Sequence, residues 1–356
     1  ADGHAVKVLT RDRTGNRDLL VLPTVRLVSA DPYDPAVLER EFAGCDVVVN
    51  LVGILNERRL GHGKGDEFRR VHTELPMKVV RACRAAGVRR YLHMSGLKAD
   101  SQRGPSHYLK SKGEAEDFIR RECADGSPDF VIFQPSVVFG PGDEFINKFA
   151  AMLPFVPGVL PLACADARFA PVYVGDVAEA FARCIDRRDV AGQTFQLCGP
   201  EVRTLGEIVR DTAAALGLRR CILPLPQPLS RLQAAMMDYV PGKPFSTDNY
   251  LSATLDSTCD CDGLAALGNF RPAHALGQSE GTEGRTAAVN HGFIDFSGAV
   301  GYGIVQKFGT LIYLQADNVH QIKVGIGFAH IYCRTGSSRP VENALAGFLA
   351  QIARGN

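Results

Sequence analysis

Residues 45–55, CDVVVNLVGIL, decide how the rest of the chain is read. The run is apolar and β-branched almost without interruption, not an alternation of apolar and polar residues. A strand of that composition is buried on both faces, as happens in a parallel sheet covered by helices on each side. Downstream, residues 71–88 (VHTELPMKVVRACRAAGV) place Leu75, Val79, Val80 and Cys83 on one helical face. Residues 89–95 then read as a strand, 108–123 as a helix and 129–136 as a strand. Upstream, residues 6–9 and 25–31 read as strands and 35–44 as a helix. Strands alternating with helices, joined by right-handed crossovers, predict an α/β fold with a doubly wound parallel sheet.

The chain has 356 residues, 46% of them hydrophobic, which is ample for a packed core. A formal net charge of +1 gives no global attraction to nucleic acid or to an acidic membrane surface. No apolar run reaches 18 residues, and no charged-then-apolar leader opens the given sequence. The ten cysteines form no C-x-x-C pair, and several sit in apolar patterns. They are expected to be buried free thiols in a reducing cytosol. Cys259 and Cys261 are too close in sequence for a usual zinc pair.

Composition shifts twice along the chain. Residues 136–276 are dense in proline and glycine and read as a substrate-side region. Within it Asp176 is placed to cap a helix, and Thr204 and Glu207 have the spacing of a capping box. Residues 277–356 hold seven isoleucines, as many as the preceding 276 residues, and one proline, Pro340. That contrast marks a second unit, either a separate small module or sequence of another origin read into the same frame. Residues 278–284 (QSEGTEG) read as a linker.

Ser95, Tyr108 and Lys112 form the constellation with chemical potential. Tyr108 and Lys112 are four residues apart, so on a helix they share a face. A nearby ammonium favours a phenolate, which would let Tyr108 exchange a proton with a carbonyl or alcohol near neutral pH. Ser95 ends a strand, at the carboxyl edge where open α/β sheets form their ligand crevice. It could hold a substrate oxygen. Alone, Y-x-x-x-K is a weak motif, equally consistent with a solvated helical face.

Longer stretches carry a resemblance. Residues 45–55, 68–100 (FRRVHTELPMKVVRACRAAGVRRYLHMSGLKAD), 107–116 (HYLKSKGEAE), 133–150 (FQPSVVFGPGDEFINKFA), 161–181 and 195–209 together span roughly residues 5–276. They resemble the extended, epimerase-like short-chain dehydrogenase/reductases. The resemblance narrows to the atypical group that includes the Rossmann-fold accessory subunit of respiratory complex I and its bacterial relatives. It implies an NAD(P)-binding domain over 1–276, with Ser95, Tyr108 and Lys112 in catalytic positions and Lys112 also reaching the ribose hydroxyls. Asp31 matches a position facing the adenine. Leu51, Val52 and Gly53 should line the cofactor, and Pro135, Ser136 and Val137 the segment past the nicotinamide.

At the end of the second strand an acidic residue suits the ribose of NAD and an arginine the 2′-phosphate of NADP. This chain has Arg11 and Arg13 there, which favours NADP(H) over NAD(H). Two functions follow. One is an oxidoreductase or epimerase acting on a carbonyl or secondary alcohol, with a small, apolar substrate. The other is a non-catalytic nucleotide-binding accessory protein beside respiratory-chain or quinone-synthesis proteins. The location expected is cytoplasmic, or peripheral at the inner face of a respiratory membrane, with no membrane span and no nucleic-acid partner.

The sequence departs from the family at its start. It opens as a helix end leading into the second strand, and the phosphate-binding G-x-x-G-x-x-G loop with its strand is absent there. That strand would sit between residues 6–9 and 90–94, and its loss would leave two rows of backbone groups unpaired. Residues 291–308 (HGFIDFSGAVGYGIVQKF) are one candidate to fill the gap, with Gly298, Gly301 and Gly303 one residue short of the family spacing. Residues 308–316 and 320–334 read as strands and 341–354 as an amphipathic helix. His320, His330 and Cys333 lack tight ligand spacing, so no metal site is assigned. Phe145, Phe149, Met152, Leu153, Phe155 and Val156 read as core, with a pocket for an apolar substrate as the alternative.

Overall fold

The computed structural model describes residues 4–11, 14–58, 60–61 and 63–268 together with the backbone strand Leu311–Gln315. Its centre is a seven-stranded sheet. Five strands carry labels: β1 (Ala5–Thr10), β2 (Val25–Ser29), β3 (Val47–Asn50), β4 (Arg90–Met94) and β5 (Asp129–Pro135). Across the sheet the order is Gln193–Leu197, β5, β4, β3, Leu311–Gln315, β1, β2. All four residues of β3 are buried, which is why it reads as an unbroken valine run.

Helices cover both faces. On one side lie α1 (Pro35–Phe42), α3 (Leu75–Ala86) and α4 (His107–Glu122); the short α2 (Asp66–Phe68) leads into α3 through a π-helical segment, Arg69–Glu74. Leu38, Phe42, Val79, Val80, Cys83, Phe118 and Ile119 meet Val48, Tyr91 and Ile132 there. On the other face Val177 and Phe181 of the helix Val174–Cys184 pack on Val47, Val49, Leu92 and Phe133. Alternate residues of each strand thus feed opposite cores, the period of two that a pleated strand dictates. Gly87 ends α3 in the left-handed conformation, φ 71°.

The gap expected in the sheet is filled from the far end of the chain. Leu311–Gln315 pairs antiparallel with β1, Val8 opposite Ile312, and antiparallel with β3, Ile312 opposite Val49. The filled position lies between β1 and β3, not beside residues 90–94: β4 is one strand further out and pairs in parallel with β3 and β5. The strand expected over 308–316 therefore forms. Gly298, Gly301, Gly303, His320, His330, Cys333 and the helix expected over 341–354 lie outside the described residues, as does Arg13.

A third core gathers Ile146, Leu153, Leu160, Leu162, Phe169, Leu205, Ile208 and Val209 within the region read as substrate-side. Phe145, Phe149, Met152 and Val156 pack against it, whereas Phe155 is exposed. The Thr204–Glu207 capping box forms. Asp176 stands in the first turn of its helix; the cap residue is Tyr173, whose side chain makes no capping bond.

Cysteine usage differs from the expectation in one respect. Cys198 and Cys259 form a disulfide, their Cα atoms 6.0 Å apart. Because 61 residues separate them, only the return of the chain to Phe169, which bridges to Ser257, brings them together. Cys45, Cys83, Cys123 and Cys184 are buried free thiols, as expected, while Cys221 and Cys261 are exposed.

Candidate functional site

The carboxyl ends of β1, β3, β4 and β5 converge with the first turns of α4. Ser106 caps α4 by accepting from the Leu109 N–H at 3.1 Å. This fixes the helix phase, so that Tyr108 and Lys112 sit one turn apart and project towards the strand ends.

Lys112 is buried at 3% exposure. Its Nζ donates to the Met94 carbonyl oxygen at 3.0 Å. Burial lowers its pKa to about 8, with Glu116 pulling the other way. One of three N–H donors is thereby used. The ammonium also lies close to Gly53: a Cβ there would be 3.5 Å from Lys112 Nζ and 3.6 Å from His72 Nε2. Gly53 lies in the loop after β3.

Tyr108 packs edge-on against His72, ring centroids 5.3 Å apart, and against Phe68 at 6.1 Å. A Cβ on Gly96 would lie 2.9 Å from its hydroxyl oxygen. Burial pushes the phenol up to about 12, and the carboxylate of Asp248 adds to the rise. The expected lowering by Lys112 is not among the causes of this shift, and the ammonium donates to the Met94 carbonyl. Ser95 follows β4 and is buried, but its hydroxyl donates to Glu116 Oε1. Glu116 is held further by Gln134 Nε2 at 2.8 Å and Arg120 Nη2 at 2.7 Å.

Two histidines that sequence reading passed over complete the floor. His72 Nε2 accepts from the Ile54 N–H at 2.9 Å, so Nδ1 carries the proton and donates to Ser111 Oγ, 3.1 Å away. Ser111 in turn donates to the Tyr108 carbonyl at 2.9 Å. Burial holds both His72 and His93 well below the usual histidine range, with Lys112 adding to the effect on each. His93 Nδ1 lies 3.0 Å from the Tyr91 hydroxyl, which accepts from Asn50 Nδ2. The only signal in the sequence was a histidine inside an apolar helix and another inside an apolar strand.

At the β1 end, the Arg11 guanidinium lies 5.7 Å from the Tyr33 ring centroid and that of Arg70 lies 4.6 Å from it. Lys78 Nζ donates to the Tyr33 carbonyl at 2.8 Å. Three cations therefore gather at the edge where β1 ends. Asp31 accepts from the Tyr33 N–H at 3.1 Å and shapes this turn. Leu51 and Val52 precede Gly53, with the Val52 N–H bonded to Asn50 Oδ1. Past β5, the Pro135 carbonyl accepts from Leu97 N–H, Ser136 Oγ donates to the Ser257 carbonyl at 2.7 Å, and the Val137 carbonyl accepts from Val172 N–H. No cluster able to hold a metal ion occurs among the described residues. No helix among them is long and apolar enough to cross a membrane.

Residues 1–139 match an NAD(P)H-binding family. The chain is 30% identical over 200 residues to NADH dehydrogenase (ubiquinone) 1 alpha subcomplex subunit 9, mitochondrial, of Rattus norvegicus, covering 56% of this chain and 49% of that one. It is 30% identical over 225 residues to the ceramide reductase of Caulobacter vibrioides, covering 60% and 64%. The chain thus spans about half the length of the complex I relatives it matches. Among solved structures, the NAD-bound dTDP-glucose 4,6-dehydratase of Streptomyces venezuelae superposes with a TM-score of 0.57 at 18% identity, covering 78% of this chain and 83% of that one. The parallel strands, the helices on both faces and the match over residues 1–139 to an NAD(P)H-binding family agree on an extended short-chain dehydrogenase/reductase-like Rossmann fold, in a chain similar to complex I subunit 9 and to ceramide reductase.

Proposed function

We propose that the chain binds NADP(H) and acts as an oxidoreductase on a carbonyl or secondary alcohol. The observation that carries this is the placement of Lys112 Nζ beside Gly53 with Tyr108 one turn earlier on the same helix. Two free N–H donors of Lys112 suit ribose hydroxyls. A nicotinamide nucleotide held there would supply hydride chemistry, and Tyr108 gives or takes the proton at the substrate oxygen. Leu51, Val52 and Gly53 wall the cofactor side, and Pro135, Ser136 and Val137 the far side. Ser95 acts through the Glu116 network unless ligand binding turns its hydroxyl. Arg11, joined by Arg13, meets the 2′-phosphate, and Asp31 shapes the adenine end. The test is NADPH binding followed by turnover of a ketone panel. Loss of turnover in Tyr108→Phe with retained NADPH binding supports the reading; unchanged turnover removes it.

A second reading is favoured by the relatives named as complex I subunits: a nucleotide-binding accessory protein, peripheral at a respiratory membrane, beside respiratory-chain or quinone-synthesis proteins. The nucleotide would then stabilise the fold by mass action. Tight NADPH binding with no redox change over the ketone panel, together with co-purification of respiratory-chain proteins, is the expected outcome. Absence of such partners counts against it.

A further inference from the structure

Asp248 lies 140 residues beyond Tyr108 in sequence, on the short helix Thr247–Ser252. Its Oδ1 accepts from the His107 N–H at 2.7 Å and its Oδ2 from the Tyr108 N–H at 3.2 Å. The same segment reaches the cofactor loop, where Asn249 Nδ2 donates to the Leu55 carbonyl at 3.2 Å. It also meets the cap of α4, where Ser252 Oγ donates to Ser106 Oγ at 2.8 Å. We propose that Asp248 is a positioning residue for Tyr108, a carboxylate delivered onto the first turn of α4 that fits the site for the reductive direction, a phenol giving its proton to a carbonyl oxygen. The proposal rests on the reading of Tyr108 as the proton donor.

The reason is electrostatic. The first turn of a helix carries roughly half a positive charge, which would favour an anion such as a phenolate nearby. Asp248 takes up the N–H groups of His107 and Tyr108 and sets a negative charge there instead. It is 7% exposed, so water screens it little. The other groups around Tyr108 do not oppose it. His72 is neutral, with Nε2 accepting from Ile54. Lys112 is turned to Met94. Glu57, Asp238, Lys243 and His107 share a small polar cavity with Asp248 and Phe68. Burial raises the pKa of Asp248 itself, opposed by its bonds from His107 and Tyr108 N–H. On the hydroxyl side the ring packs closely on Gly96, where a Cβ would lie 2.9 Å from the phenolic oxygen. The balanced step is one hydride from the reduced nicotinamide nucleotide to the carbonyl carbon, with the C=O π pair moving to oxygen. The Tyr108 O–H bond breaks and its proton goes to that oxygen. The nucleotide is oxidised, the ketone becomes an alcohol, and water reprotonates the phenolate.

The experiment is ultraviolet titration of tyrosinate in the full chain, taking wild type minus Tyr108→Phe to isolate Tyr108. No Tyr108 contribution is expected below pH 10, and Asp248→Asn should move its midpoint to lower pH by about one unit. A Tyr108 signal below pH 10 in wild type overturns the proposal, and this arm needs no Asp248 variant to fold. An unmoved midpoint in folded Asp248→Asn also overturns it, since loss of a merely structural cap would change the melting temperature without moving the titration. If Tyr108→Phe keeps full ketone turnover, the proton-donor reading falls first. If it abolishes turnover while Asp248→Asn leaves the midpoint in place, the Asp248 assignment alone falls.

Discussion

The ammonium of Lys112 lies 3.0 Å from the Met94 carbonyl oxygen, inside the protein and without a carboxylate within ion-pair distance among the described residues. A buried charge so placed is held for what it binds, since replacing it by an apolar side chain of similar length is often neutral or stabilising. Lys112→Met is expected to weaken NADPH binding by about 10–100-fold, the loss of hydrogen bonds from a charged donor, without lowering the melting temperature. A large fall in melting temperature would show that the ammonium is structural.

The same group sets a pH dependence. Its folded pKa of about 8 lies below the ordinary 10.5. Between those values the unfolded chain binds a proton that the folded chain does not, so stability rises with pH across that window. Below about 8 the cost of burying the charge is fully present. Urea midpoints at pH 7 and pH 10 should rise more in wild type than in Lys112→Met. Equal changes would refute the assignment.

Leu311–Gln315 occupies an interior position of the sheet, with neighbours on both sides. Every residue there uses its backbone N–H on one neighbour or the other. Ile312→Pro should cost about 3 kcal/mol or more in urea unfolding. An unchanged midpoint would mean that this strand does not pair with β1 and β3 in solution.

The cations around Tyr33 should discriminate between nucleotides. Arg11→Ala and Arg70→Ala are each expected to weaken NADPH binding roughly tenfold, the scale of one charge-assisted contact, and to leave NADH binding within about twofold. Equal losses for both nucleotides would place these arginines away from the 2′-phosphate.

Arg90 is fully buried and spans two elements. It pairs with Asp129 through Nε at 2.6 Å and Nη2 at 2.8 Å, and its Nη1 reaches the carbonyls of Cys184, Ile185 and Arg187 past the helix Val174–Cys184. Arg90→Ala should destabilise by about 3–5 kcal/mol, because several buried acceptors lose their partner. A change under about 1 kcal/mol would show that water reaches the cavity and replaces the guanidinium.

Much of this was legible in the residues. The valine run of β3, the helical spacing of Leu75, Val79 and Cys83, and the i, i+4 pair Tyr108 and Lys112 are local patterns, and local geometry follows from them. The Thr204–Glu207 capping box is equally local. Ser95 was found by position, but its hydroxyl turns to Glu116, a partner that only the packing of α4 on β4 and β5 supplies. His72 had only its place inside an apolar helix, and Asp248 had no local signature. Nor did the Cys198–Cys259 bridge, which depends on where the chain returns.

By itself, then, the order of residues determined the alternation of strands and helices, the two buried faces of the sheet and the helix that carries Tyr108 and Lys112, because periodicity and burial act over a few residues. The tertiary structure alone decided which strand stands between β1 and β3, which carboxylate meets the first turn of α4, and in which direction the Tyr108 phenol is shifted. Those depend on desolvation and on charges brought close from distant parts of the chain, and neither distance nor dielectric is written in a linear sequence.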